Sequence, residues 1–414
     1  MSIRKRTWKT GDGLQKEAWV VDYVDQKGKR RLKTFDRKKE ADAWWKAAGF
    51  EIEKGFRTPD SQSVTIAKAA ELWLETCRGH KLERSTIDAY AQHVENHIAP
   101  YLAREKLSQF TAPMVREFED RLRNGAAAPG AAEGKPRSSA MVKKIIGSLG
   151  SLIADAQERG LIGRNVVREL SKRRKGADRR LEKRHKGKLK IGVDIPSRDE
   201  VKAIVDHLEG RWRPILLTAI FTGLRSSELR GLRWSDVDLK KCELHVRQRV
   251  DQYSVMGAPK SESGQRTVPL PPVVANTLRE WKLACPKSKV DLVFPTGRGT
   301  PENHANVINR GLIPAQLAAG VTTLAHDAKG MPLKDEDGKP VIRAKYTGLH
   351  AFRHFYASWC VNSREDGGLG LSAKAAQGRL GHSTIAMTLD TYGHLFPRGD
   401  DGSELAAAEK ALLG

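Results

Sequence analysis

Two stretches near the C-terminal end decide the reading: GLHAFRHFYAS at 348–358 and RLGHSTIAMTLDTYGHL at 379–395. Within them His350, Arg353, His382 and Tyr392 stand at spacings that a few helical turns can bring to one point. His350 and Arg353 stand three apart, so on a helix they share a face. Gly381 suits the end of one helix and Ser383 the cap of the next, which places His382 at the joint. Tyr392 follows in a polar run that is a poor setting for a core tyrosine.

Two upstream segments extend the set. In TGLRSSEL, 222–229, Gly223 breaks one helix and Arg225 lies in the first turn of the next. There a guanidinium can join free backbone N–H groups as an anion receptor. Glu228, three residues on, is placed to hold neighbouring basic or backbone groups. In PKSESGQRTVPL, 259–270, Lys260 sits at a strand edge near a hairpin tip. Arg266 opens the returning strand and is a candidate contact for backbone phosphate.

Arginine, lysine, His-x-x-Arg, histidine and tyrosine together suit a phosphodiester. Two guanidinium forks can each hold two non-bridging oxygens. They also neutralise the charge of a pentacoordinate transition state. A tyrosine nucleophile gives a covalent phosphotyrosine. The phenol's ordinary pKa is about 10, and a crowd of cations is expected to favour the phenolate. A lysine beside the leaving 5′ oxygen can be the general acid. The phosphotyrosine conserves the bond energy for religation, so no nucleotide or other cofactor is expected. No metal is expected either, because no carboxylate cluster is patterned to bind one.

The bulk properties agree. With 414 residues the chain is long for one domain, and its 39% hydrophobic content allows real cores. A net charge of +23 favours a polyanionic partner, nucleic acid first and a membrane surface second. No apolar run approaches the roughly 18 residues of a membrane span. The opening MSIRKRTWKT lacks the apolar stretch of a signal peptide. Cys77, Cys242, Cys285 and Cys360 form no CxxC pair, which argues against a zinc site or a disulfide framework. The expectation is a soluble, reduced, cytoplasmic protein associated with the nucleoid. No repeat of solenoid period is present.

Four segments are expected. Residues 1–60 read as a small α+β domain, with alternating strands around Trp19–Val24 and Arg30–Phe35 and a helix from Asp36. The far sheet face would carry Arg4, Lys5, Lys29, Arg31 and Lys33, as a major-groove contact or as plain solvated surface. Residues 56–61 read as a linker. Residues 63–170 read as an all-α bundle of four or five helices, starting near Ser85 or Thr86, at Thr111 and after the 125–136 loop. Lys81, Arg84, Lys143 and Lys144 lie at its exposed positions as DNA-binding candidates. Residues 171–193 are a basic linker, too polar to build a core and suited to lie along phosphates. Residues 194–414 read as a mixed, mainly helical α+β domain. It starts at a capping box, Ser197 to Glu200, has a strand over Leu239–Val250, and carries a hairpin around Asp337-Gly338 within an insertion at 320–346.

TGLRSSEL, PKSESGQRTVPL, LHAFRHFYAS and LGHSTIAMTLDTYGH resemble the signature segments of the tyrosine recombinases, the phage-integrase family. The resemblance spans roughly 194–396, with a looser match over the helical region. It departs at Phe352, where the family usually has leucine. It implies that Arg225 and Arg353 clamp the scissile phosphate and that Lys260 protonates the 5′ oxygen. His350 would assist proton transfer, His382 would hydrogen-bond the phosphate, and Tyr392 would attack. It further implies a C-shaped clamp on double-stranded DNA, with core sites and, through the N-terminal unit, arm sites. A homotetramer on DNA, with the 403–413 tail docked on a neighbour, follows from the same resemblance. A host DNA-bending factor and an excisionase are partners it allows. A type IB topoisomerase and a DNA-binding regulator without catalysis are the competing readings; the arm-like unit and the complete residue set count against them.

Overall fold

The computed structural model describes all residues except 1, 10, 12–14, 25–29, 54–62, 128–133, 172–187, 260, 328–329 and 398–400, and leaves out the side chains of 47–53, 401 and 403–404. Lys29, Lys260, the 56–61 linker and most of the 171–193 linker therefore lie outside the described residues. The chain divides into two compact units, Met1–His185 and Lys186–Gly414.

The first unit opens with a three-stranded antiparallel sheet, Ser2–Lys9, Gln15–Val24 and Arg30–Phe35, with the second strand central. The helix Lys38–Glu53 lies on one face, where Trp44 packs on Tyr23 and Phe35. The register pairs Lys5 with Trp19, Val21 with Lys33 and Tyr23 with Arg31. These partners share the helix-covered face, and Lys33 Nζ stands 5.0 Å from the Trp44 ring. Arg4 pairs with Val20 and so lies on the opposite face, whose basic side chains include Arg4, Arg6, Lys16 and Arg30. The expected single face of Arg4, Lys5, Arg31 and Lys33 is thus split, because neighbours in a strand point to opposite sides. Arg30 and Arg4 instead flank the buried Asp22 carboxylate.

The helical part of this unit has its own core, including Trp73, Phe118, Ile145, Leu149 and Ile153. Helix Ile66–Gly79 is capped by Thr65, whose side chain accepts from Lys68 N. The next helix starts at Arg84, without a side-chain cap, rather than at Ser85 or Thr86. Thr111 occupies the N-cap position of Ala112–Asn124 through its extended backbone, with no side-chain bond. Ser138 caps the 20-residue helix Ser139–Glu158.

The second unit begins with the expected capping box. Ser197 Oγ accepts from Glu200 N, and Glu200 returns the contact to Ser197 N. Trp212–Thr222 is apolar on nearly every side and buried over Pro214–Ile220 and Thr222, in the core with Phe352, Tyr356, Ala357 and Cys360. Gly223 ends it in the left-handed region at φ 60°. The strand expected over Leu239–Val250 is two strands in different sheets. Glu243–Val246 pairs with Val237–Asp238 and Arg266–Pro269, whereas Arg249–Val250 pairs with Met256–Gly257. The break falls at Arg247 and Gln248, whose side chains both turn to the buried Asp236 carboxylate. The 320–346 segment forms a short antiparallel pair, Thr322–Leu324 with Ile342–Ala344. A tight turn at Asp335–Lys339 holds Gly338 at φ 76°.

Candidate active site

Three helices and one turn meet around the segment Leu380-Gly381-His382. Gly223 ends the helix Trp212–Thr222, and the turn after it places Arg225 at the N-cap of the short helix Ser226–Arg230. Arg225 does not leave its backbone N–H open to an anion, because Glu228 Oε2 accepts it at 2.9 Å. Glu228 Oε1 accepts from Arg225 Nη1 at 2.8 Å, and the other guanidinium arm donates to the Gly381 carbonyl at 3.0 Å. The Arg225 side chain remains 39% exposed, so one face of the guanidinium is open to a ligand.

Arg353 lies in the helix His350–Val361 and is buried. Its guanidinium donates to the carbonyls of Gly223 and Leu380, tying the ends of two other helices to its own. Burial, then repulsion by Arg225, lowers its pKa to about 10, which still leaves it charged at neutral pH. His350, in the first turn of the same helix, is at the surface. Burial of part of its ring, with Arg353 and Arg225 nearby, lowers its pKa.

Helix Ala373–Leu380 ends at Gly381 with φ 64°. The following helix starts at Ile385, and its cap is Thr384, not Ser383: Thr384 Oγ1 accepts from Met387 N. His382 therefore sits between caps. It is buried, with Nδ1 hydrogen-bonded to Thr388 Oγ1 at 2.9 Å. Its pKa falls to about 4 through burial, with Arg353, Arg225 and Arg266 adding to the effect.

Tyr392 ends the helix Ile385–Tyr392 and is 2% exposed, a member of the domain core. The polar run around it gave the opposite expectation, because its burial comes from distant helices. Its ring lies near-parallel to that of His382, at 3° with centroids 6.2 Å apart. Its pKa is pushed up to about 12 by burial, against the pull of Arg353 and Arg225. The expected drop from surrounding cations is thus outweighed by burial.

The sequence reading missed His354. Its Nδ1 lies 2.7 Å from the Tyr392 hydroxyl, a hydrogen bond. The available signal was its position one turn beyond His350, which puts both rings on one helix edge, 4.5 Å between centroids. Arg266 differs from its expected role. Its side chain is 5% exposed and donates to both Glu228 oxygens, to Arg379 O and to Gly264 O, which commits it to the interior. Burial raises the Glu228 pKa, but hydrogen bonds from Arg266 and the charge of both arginines outweigh this and lower it. Lys81, Arg84, Lys143 and Lys144 are exposed in the first unit, whereas this cluster belongs to the second. Among the described residues no group of three or more His, Cys, Asp or Glu is placed to hold a metal ion. None of the described helices is long and apolar enough to cross a membrane.

Two family models match the chain: the phage integrase family over residues 197–398, and the phage integrase N-terminal SAM-like domain over 65–123. A tyrosine recombinase XerC-like protein of Caldanaerobacter subterraneus subsp. tengcongensis is 25% identical over 392 residues, covering 90% of each chain. The putative prophage phiRv2 integrase of Mycobacterium tuberculosis is 24% identical over 389 residues, covering 91% of this chain and 88% of its own. Among solved structures, the Tn1549 transposon integrase in complex with a circular intermediate DNA superposes with a TM-score of 0.57 at 18% identity, over 84% of this chain and 100% of its own. A lambda integrase dimer bound to a COC′ core site gives 0.51 at 17% identity, over 95% and 97%. These two likenesses speak to the fold.

Proposed function

Because the chain belongs to the phage integrase family, we propose that it is a site-specific tyrosine recombinase that integrates or excises a mobile element by breaking and rejoining double-stranded DNA. The observation that carries the residue assignment is convergence. Arg225, Arg353, His382 and Tyr392 come from separate elements and are tied to each other through Leu380, Gly381 and His382.

In this reading the open side of Arg225 and the edge of Arg353 hold the scissile phosphate, with His382 as a further donor. Tyr392 Oη attacks phosphorus and the P–O5′ bond breaks. Lys260 delivers a proton to the leaving 5′ oxygen, while His350, its pKa lowered by burial and by Arg353 and Arg225, accepts the proton that the phenol gives up. The product is a 3′-phosphotyrosine and a free 5′ hydroxyl, which then attacks the partner strand. Glu228 and Arg266 hold Arg225 in register and touch no DNA. The helical domain, 63–170, and the catalytic domain, 194–414, each contact the core site, with Lys81, Arg84, Lys143, Lys144 and the basic linker on phosphates. The N-terminal unit takes arm sites, and the active species is a tetramer on DNA, with a host bending factor and an excisionase setting direction.

The test is a nicked suicide duplex carrying the end sequences of the element that encodes the chain. The wild type accumulates a covalent adduct that mass spectrometry maps to Tyr392, whereas Tyr392→Phe binds the duplex and forms none. An adduct on another residue, or relaxation of arbitrary supercoiled plasmid with no recombinant product, overturns the assignment.

A further inference from the structure

We propose that His354 is a positioning residue for the nucleophile: its Nδ1 accepts the hydrogen bond of the Tyr392 hydroxyl and keeps that oxygen aimed into the site. This rests on the recombinase reading above.

Three observations carry it. The hydrogen bond is short, 2.7 Å, and Tyr392 is only 2% exposed, so water has little room to replace the imidazole. His354 follows Arg353 directly, and the Arg353 bonds to Gly223 and Leu380 fix the helix that carries both. The phosphate clamp and the orienter of the nucleophile are therefore one rigid piece. His350 adds an edge contact to the His354 ring, at 80°, which holds its plane.

The protonation states define the kind of help. Burial, with His350 and Arg353 beside it, lowers the His354 pKa to about 4. The phenol, held near 12 chiefly by burial, keeps its proton. The contact joins two neutral groups, so the imidazole orients the phenol and does not ionise it at rest. Orientation alone is a large effect, since a misplacement of about 1 Å at the reacting atom can cost roughly 100-fold in rate.

The experiment compares wild type, His354→Ala and His354→Asn on the nicked duplex. Asparagine carries a carbonyl oxygen close to where Nδ1 stood, so it retains the acceptor without an imidazole. His354→Ala is expected to form the covalent adduct about 100-fold more slowly at unchanged duplex affinity. His354→Asn is expected to recover most of that loss. Replacing the bridging 5′ oxygen by sulfur, which leaves without a proton, rescues Lys260→Ala but not His354→Ala. If His354→Ala does not fold, His354→Leu, which fills the volume without an acceptor, takes its place. A DNA-free arm follows the ring carbon bonded to oxygen in ¹³C-labelled tyrosine, with Tyr392→Phe identifying the resonance. That resonance moves in His354→Ala and returns in His354→Asn. Wild-type rates in His354→Ala, an asparagine variant as slow as alanine, or rescue by sulfur each overturn the proposal. If the wild type itself forms no adduct at Tyr392, the recombinase reading fails, while the resonance still decides whether His354 holds the phenol.

Discussion

Arg266 and Glu228 form a buried two-point ion pair, Nη2 to Oε2 at 2.8 Å and Nη1 to Oε1 at 3.2 Å, with side chains 5% and 3% exposed. Removing one partner leaves a charge stranded in the interior. Arg266→Ala should therefore destabilise the second unit by about 3–5 kcal/mol. The double variant Arg266→Met with Glu228→Leu should cost less than the single arginine change, because no unpaired charge remains. Urea unfolding of all three decides it; a single variant within about 1 kcal/mol of wild type would remove Arg266 from the interior network.

Arg225 and Arg353 should separate stability from chemistry. Arg225 is 39% exposed, whereas Arg353 is buried and donates to two helix-end carbonyls. Arg225→Gln should leave the thermal midpoint within a few degrees of wild type yet slow adduct formation by at least about 100-fold. Arg353→Gln should lose both, since Gly223 O and Leu380 O lose their donor. Equal thermal midpoints for the two variants would contradict this division.

Gly223 admits no side chain. Its φ is 60°, and an added Cβ would collide with the Tyr356 ring, 2.9 Å from Cγ. Gly223→Ala should cost about 2 kcal/mol or more from the backbone region and overpacking together. Because the Gly223 carbonyl anchors Arg353, adduct formation should fall with it. Calorimetry and the suicide duplex read the two effects separately.

Acid should loosen the second unit before its carboxylates titrate. His354 and His382 are held at about 4 in the folded chain, below the ordinary 6.5, by burial first and neighbouring cations second. The unfolded chain binds more protons between those values, so stability is full above about 6.5 and falls as pH drops towards 4. Each histidine contributes up to roughly 3 kcal/mol over that window. Glu228, lowered in the folded state, adds a later loss as pH falls below its ordinary 4.5. Denaturant midpoints measured from pH 8 to 4 should decline below 6.5, and His382→Asn should flatten the slope. A level profile down to pH 4.5 would contradict the buried neutral histidines.

Local signals carried much of the architecture. The Ser197 to Glu200 capping box depends only on neighbours, and it forms where its spacing puts it. Gly223 and Gly381 both end helices in the left-handed region, as residues without a Cβ can. Where the outcome depended on pairing, the reading slipped. Composition does not say which basic residues of two strands share a face until the register is fixed, and nothing local reveals that Arg247 and Gln248 turn to Asp236 and divide Leu239–Val250.

By itself the sequence determined which residue types were available for phosphoryl chemistry, their order along the chain, and the glycine helix ends beside Arg225 and His382. Only tertiary structure decided that Tyr392 is interior, that Arg266 serves Glu228 and not a phosphate, and that His354 meets the phenol. The physical reason is range. Capping and helix spacing act over three or four residues. Burial and its effect on a pKa depend instead on which distant helices close over a group, a property no local stretch contains.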